Sequence, residues 1–313
     1  MKNMDKIFAG CFFIFLAVNA NNVPNKILCR DNLTANQDDS LIAPGATLQL
    51  ISSQFSFTEG PAVDKKGNIY FTDQPNDKIW KYDVDGKLSV FLDKTGRSNG
   101  MYFDHKGNLL TCADEKNELW SITPTGKVTV LLNNFRTLHF NGPNDLWIDK
   151  KAGIYFTDPY YQRPYWTRKT PDIKEQKVYY LPKGKKQAIA VAEDLLQPNG
   201  IVGTPEGKYL YVADIQDNKT YRYIINKDGS LQDKTLLIQQ GSDGMTLDER
   251  GNIYLTGSSG VTVYNKEGKK LLLIAVPAKW TANVCFGGKD RKTLFITASE
   301  SIYTIAMNVK GVE

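Results

Sequence analysis

Glu59, Asn99, Asn144, Asn199, Asp243 and Asn283 follow one another at intervals of 40, 45, 55, 44 and 40 residues, and each carries a side-chain oxygen. Two are acids and four are amides, a donor set that suits a hard cation, with Glu59 and Asp243 supplying the neutralising charge. Asn and Asp also favour the turns that lead into strands, which would give a similar recurrence without any ligand. Glu59 is not a turn former, however, and turn chemistry does not call for two acids among the amides. The chain has only two histidines, His105 and His139, so a site built from three imidazoles is excluded and imidazole-preferring metals lack ligands.

The elements that must position these six residues also repeat. The segments Gly60 to Asp73, Gly100 to Asp114, Asp145 to Asp158, Gly200 to Asp214, Gly244 to Gly257 and Val284 to Ser299 each consist of an apolar run, a polar turn and a second apolar run. The residues opening the second run, Ile69, Leu109, Ile154, Leu210, Ile253 and Leu294, are 40, 45, 56, 43 and 41 apart. A strand-built period of this length predicts propeller blades. Weaker hairpins fall between the copies, with centres such as Asp85-Gly86, Thr125-Gly126, Lys183-Gly184, Asp228-Gly229 and Glu267-Gly268. Four strands per unit follow. The sixth unit ends one strand short after Ser301 to Val309, and the alternating run Thr47 to Phe55 is available to complete it. The expected fold is therefore all-β, a six-bladed β-propeller with four-stranded blades whose last blade is closed by the N-terminal strand. Because the inner strands of all blades start at one face, the six oxygen-bearing residues should converge beside the central channel.

The chain has 313 residues, 39 Lys+Arg against 34 Asp+Glu, and 41% hydrophobic residues. That apolar content argues against disorder, and so small a positive excess gives no electrostatic case for nucleic acid. Residues 1–20 read as a signal peptide: Lys2 and Lys6 precede an apolar run, and Val18-Asn19-Ala20 offers small residues for cleavage. Residues 21–43 read as a flexible tether and 44–313 as the propeller, which places the protein in the periplasm or outside the cell without stable membrane insertion after cleavage. Cys29, Cys112 and Cys285 remain in the mature chain, an odd number that argues against a disulfide framework.

Four motifs, Thr58-Glu59-Gly60-Pro61, Asn141-Gly142-Pro143-Asn144-Asp145, Pro198-Asn199-Gly200 and Ser242-Asp243-Gly244-Met245, in that order and spacing, make the chain resemble the gluconolactonase, regucalcin and luciferin-regenerating family of six-bladed propellers. The resemblance covers about residues 46–307. It implies a metal-dependent lactonase with one divalent ion on the channel axis, Ca²⁺ foremost and Zn²⁺, Mg²⁺ or Mn²⁺ as alternatives. It places metal ligands at Glu59, Asn199 and Asp243. Asn144 falls on a family position that is a ligand in some members and a substrate contact in others. His139 stands where many members have Arg or Lys before the third motif, which leaves the substrate class open.

The residues accord with that chemistry on their own. Lactone hydrolysis builds negative charge on a carbonyl oxygen while water attacks; a bound cation polarises the carbonyl and an adjacent carboxylate takes the proton. Asp243 is the candidate general base, with a role as pure ligand the alternative. Asn99, His139, Asn144 and Tyr160 are the candidate substrate contacts. Tyr160 opens an aromatic loop, Tyr160-Tyr161-Gln162-Arg163-Pro164-Tyr165-Trp166, that reads as a substrate-shaping lid with Arg168 and Lys169 available for an anionic group. Thr72-Asp73, Thr157-Asp158 and Ala213-Asp214, at the ends of second strands, read as supporting or turn residues. No Gly-x-Ser-x-Gly elbow, His-Glu-x-x-His motif or phosphate loop is present. The partner is expected to be a small lactone; a non-catalytic ligand- or protein-binding propeller, or an ester or phosphotriester hydrolase using the same metal, are the alternatives.

Overall fold

The computed structural model describes residues 39–313; the expected signal peptide and most of the expected tether lie outside the described residues. Twenty-four strands form six four-stranded antiparallel sheets, the six blades of a β-propeller. In blade 1 the chain runs outward through Thr58–Val63, Ile69–Asp73, Lys78–Tyr82 and Leu88–Asp93. The two inner strands are buried at every residue, whereas the outermost strand is partly exposed throughout. That gradient follows from packing. Neighbouring blades cover both faces of the inner strands, so Ile69, Tyr70 and Phe71 need no alternation with polar residues. The inner strands of blades 2 to 6 are Ser98–Phe103, Leu146–Ile148, Pro198–Gly203, Met245–Leu247 and Thr281–Gly287. Cores form between sheets: Trp147, Tyr155 and Val178 of blade 3 pack in one cluster with Val202, Leu210 and Val212 of blade 4 and Leu247, Ile253 and Leu255 of blade 5.

Blade 6 is closed by the N-terminal strand, as the missing fourth strand requires. Gln49–Ser52 pairs antiparallel with Ser301–Ala306, placing Gln49 opposite Thr304 and Leu50 opposite Tyr303. Closure covers an edge that would otherwise expose unpaired backbone groups. The body of the propeller begins before the expected boundary at residue 44. Asp39–Leu41 is a 3₁₀ turn, Leu41 is buried, Ile42 bridges to Met307, and the Asn308 N–H donates to the Leu41 carbonyl at 2.8 Å. Leu41 and Ile42 pack against the core of the last blades and backbone bonds hold the segment there, so the docked chain extends into what reads as tether. Cys112 and Cys285 are buried and free, in keeping with core packing.

Two devices at the ends of the second strands fix the ring face. The Thr72 hydroxyl donates to the Asn99 carbonyl at 3.3 Å and the Thr157 hydroxyl to the Asn199 carbonyl at 2.7 Å, tying each blade to the next one. The aspartate after each threonine ties its own blade's entry loop. Asp73 Oδ1 accepts from the Ser56 and Phe57 N–H groups, and Asp158 accepts from those of Asn141 and Gly142. Asp214 does the same for Leu196 and Gln197. Each such bond contributes about 1 kcal/mol net, and leaving the buried partner unpaired costs more.

Candidate functional site

The six ring residues occupy equivalent places at the start of the inner strands. Glu59 and Asn99 are second in their strands, and Asn144 and Asp243 lie two residues before theirs. Glu59, Asn99, Asn144, Asn199 and Asn283 are buried; Asp243 is partly covered. The inner strands converge so closely here that a side chain is excluded right after most ring residues. A Cβ at Gly60 would lie 2.1 Å from the Asn99 carbonyl oxygen, and one at Gly244 would lie 2.0 Å from Asn283 Cγ. At Gly100 it would lie 2.4 Å from Asp145 Oδ1 and 2.6 Å from the Asn144 carbonyl oxygen. The glycines after ring residues in blades 1, 2, 4 and 5 are therefore what allows the ring to close.

In blade 3 that position holds Asp145, a third carboxyl of the ring and a buried one, which was not among the expected site residues. Its signal was available: an acid stands where four of the six repeats have glycine. Asp145 Oδ1 accepts the Leu146 N–H at 2.9 Å. Burial, aided by the Asp243 charge and opposed by the Leu146 N–H and Asn283, pushes its carboxyl up to about 7. Glu59 Oε2 accepts the Gly60 N–H at 2.7 Å and the Asn283 side-chain amide at 3.2 Å. Burial first, then repulsion from Asp243 and Asp145, holds the Glu59 carboxyl well above the ordinary range. Asp243 Oδ2 accepts the Trp280 indole N–H at 2.5 Å. Burial raises its carboxyl to about 6, less than it would without Trp280, Asn199 and Arg163 beside it. The site is thus a cluster of carboxyls in mutual electrostatic reach, each reluctant to ionise without a counter-charge.

Asn199 and Asn99 complete the picture. The Asn199 side-chain amide donates to the Tyr161 hydroxyl at 2.9 Å, while Asn199 Oδ1 and Asn99 Oδ1 are buried with no hydrogen-bond partner. Two orphaned acceptors beside carboxyls that lack counter-charge are what a bound hard cation would satisfy. The fit is to an amide-and-carboxylate cage: among the described residues, no group of three or more His, Cys, Asp or Glu gathers in a metal-binding cluster.

The other expected contacts fall elsewhere. His139 has two thirds of its side chain exposed and pairs with Asp172 Oδ2 at 2.9 Å, outside the ring. It is Tyr161, not Tyr160, that reaches the ring; the Tyr160 hydroxyl donates to Gln162 Oε1, and its ring lies under Arg168. The aromatic loop does lean across blades. Trp166 donates its indole N–H to the Asp114 carbonyl of blade 2 at 2.9 Å, and Tyr165 donates to Asp114 Oδ2. Arg168 serves as a brace, stacked 4.5 Å over Trp166 and donating to the Asn141 carbonyl. Lys169 donates to the Trp166 carbonyl at 3.4 Å.

A closed six-bladed propeller with acids and amides around one mouth defines a class of channel-face sites. The chain belongs to the SMP-30/gluconolactonase/LRE-like family, whose model matches residues 57–300. It is 29% identical over 308 residues to a gluconolactonase of Zymomonas mobilis, covering 87% of this chain and 85% of that one. The solved structure of a gluconolactonase from Xanthomonas campestris has the same fold, with a TM-score of 0.80 at 24% identity over 86% of this chain and 91% of that one. So does a calcium-binding protein, regucalcin, from Agrobacterium tumefaciens, with a TM-score of 0.72 at 19% identity over 85% and 95%.

Proposed function

We propose that this protein is a lactone hydrolase that works with one divalent cation, Ca²⁺ foremost, held by Glu59, Asn144, Asn199 and Asp243. The observation that carries the reading is the buried, unpartnered Asn199 amide oxygen beside Asp243 and Glu59, carboxyls whose pKa burial raises in the absence of a counter-charge. The family and the gluconolactonase relative in Zymomonas mobilis supply the reaction class. A cation bound there would polarise the lactone carbonyl and offset the charge that develops on its oxygen.

The protein's own groups do the rest. Asp243 is the candidate general base: a bound cation would favour its ionised form, which is the form that can accept a proton. It takes a proton as water oxygen bonds to the acyl carbon, and returns it to the ring oxygen when the C–O bond breaks, leaving a hydroxy acid. The Trp280 indole N–H fixes Asp243 in orientation, and Tyr161 fixes Asn199. Asn99 and Asn144 line the mouth where the substrate's oxygens would sit. A pH-stat measurement of hydrolysis across a lactone panel, before and after chelation and calcium repletion, tests the reading. Turnover that disappears with chelator and returns with Ca²⁺ is expected. Ligand binding with no lactone turned over under any metal would make the protein a non-catalytic propeller.

Export remains a proposal from the sequence of residues 1–20. Mature material beginning at Asn21 is expected; exported protein beginning at Met1, or lipid on Cys11, would contradict it.

A further inference from the structure

Blade 2 departs from the supporting scheme of its neighbours. The capping aspartates Asp73, Asp158 and Asp214 are each the last residue of their second strand, a place that in blade 2 is held by Ala113. The carboxylate stands one residue later, as Asp114. A one-residue shift along extended chain turns a side chain to the opposite side. Asp114 consequently caps no amide of its own entry loop, where the Arg97 N–H is accepted instead by Asp77 Oδ1 at 2.7 Å.

Asp114 instead holds the aromatic loop of blade 3. Its Oδ2 accepts from Arg163 Nε at 2.8 Å, from the Tyr165 hydroxyl at 2.5 Å and from Gln74 Nε2 at 3.3 Å. Gly142 makes room for the arrangement: a Cβ there would lie 2.9 Å from Asp114 Oδ1 and 3.0 Å from the Trp166 ring. The Arg163 guanidinium lies 5.4 Å from the centre of the Tyr161 ring, whose hydroxyl is on the ring residue Asn199.

This is more than a structural ion pair. A guanidinium has five N–H donors, and only Nε is engaged; the Nη groups make no hydrogen bond among the described residues. The Asp114 side chain is 3% exposed, but that of Arg163 is 24% exposed. A buried carboxylate therefore holds one edge of the guanidinium and leaves its fork open beside a mouth otherwise rich in acids. A fork of this kind matches two oxygens sharing one negative charge.

We propose that Arg163, positioned by Asp114, is the substrate-contacting cation of the ring mouth, its Nη groups binding the acyl oxygens of the lactone and the carboxylate of the opened hydroxy acid. The proposal rests on the lactonase reading for the identity of the acyl group. Arg163 is the contact; Asp114 is a positioning residue.

The test uses the calcium-loaded full chain and gluconate, an open hydroxy acid that is not turned over, titrated by tryptophan fluorescence. Arg163→Gln should weaken gluconate binding about ten- to hundredfold, the loss of a charge-assisted bond. Arg163→Lys keeps the charge beside Asp114 but loses the fork, and should fall between wild type and Arg163→Gln. Asp114→Asn should weaken gluconate severalfold while shifting KM for a lactone more than kcat, a split that general loosening of the fold would not give. Gluconate affinity within twofold of wild type in both Arg163 variants would overturn the proposal. Gluconate binding that depends on Arg163 in a protein that opens no lactone would sink the lactonase reading and leave this contact standing. A lactonase whose gluconate affinity ignores Arg163 would do the reverse.

Discussion

The carboxyl cluster predicts an unusual pH dependence in the absence of metal. Asp145 is raised from 3.8 to about 7 and Asp243 from 3.8 to about 6, both chiefly by burial. Folding therefore favours their protonated forms. Their contribution to stability is fully present below pH about 4 and is lost as pH rises through about 6 and 7. At about 1.4 kcal/mol per pKa unit, the separate contributions are roughly 3 kcal/mol for Asp243 and roughly 4 kcal/mol for Asp145. Asp243 raises Asp145, so the two titrate as a pair and the sum overstates the effect. The combined loss between pH 4 and pH 8 therefore lies between about 4 kcal/mol, the larger single contribution, and about 7 kcal/mol, the sum, which corresponds to a melting temperature lower by roughly ten degrees for a domain of this size. Calcium at about a hundred times its Kd should restore about 2.7 kcal/mol at pH 8 and little at pH 4, where the ligands are protonated. The assay is thermal unfolding of chelated and calcium-loaded protein across that range. Asp145→Asn is the internal control, because it should make the chelated profile shallower, with Asp243 and the other raised carboxyls still titrating, without removing a ring ligand. A chelated melting temperature that stays level or rises from pH 4 to pH 8, or an Asp145→Asn profile parallel to wild type, would refute the reasoning.

Two further outcomes follow from the architecture. Gly100→Ala sets a Cβ 2.4 Å from Asp145 Oδ1 and 2.6 Å from the Asn144 carbonyl, which the Gly100 N–H itself binds at 2.7 Å. Blades 2 and 3 must separate at the ring, so differential scanning calorimetry should show a loss of about 1 to 3 kcal/mol, and calcium titration a weaker site; unchanged values would mean the convergence is looser than described. Deleting residues 44–56 removes the closing strand and should cause aggregation or a large fall in melting temperature, whereas deleting residues 21–38 should do neither. Equal behaviour of the two truncations would contradict closure by Gln49–Ser52.

The blades were legible because a strand repeat of 40 to 50 residues admits few architectures, and the ring because strand entry recurs with the same period. What escaped has physical reasons. Asp145 lies next to a ring residue, and its role depends on inner strands approaching closely enough to exclude a Cβ elsewhere in the ring, which only the assembled propeller reveals. Tyr160 and Tyr161 are adjacent in an irregular loop with no periodicity to tell which faces inward. His139 was placed by its distance along the chain from Asn144, but its partner Asp172 draws it outward. The work of Asp114 depends on a single-residue offset from Ala113 that the repeat alignment absorbs silently.

The central claim is that Glu59 and Asp243 serve one cation-dependent hydrolytic site. Its most direct test is calcium binding and lactone hydrolysis measured side by side for wild type, Glu59→Gln and Asp243→Asn. The account predicts at least tenfold weaker calcium binding for Glu59→Gln and loss of turnover for Asp243→Asn, with the affinity of the latter showing whether Asp243 is base, ligand or both. Full lactonase activity in both variants after chelator treatment would contradict it.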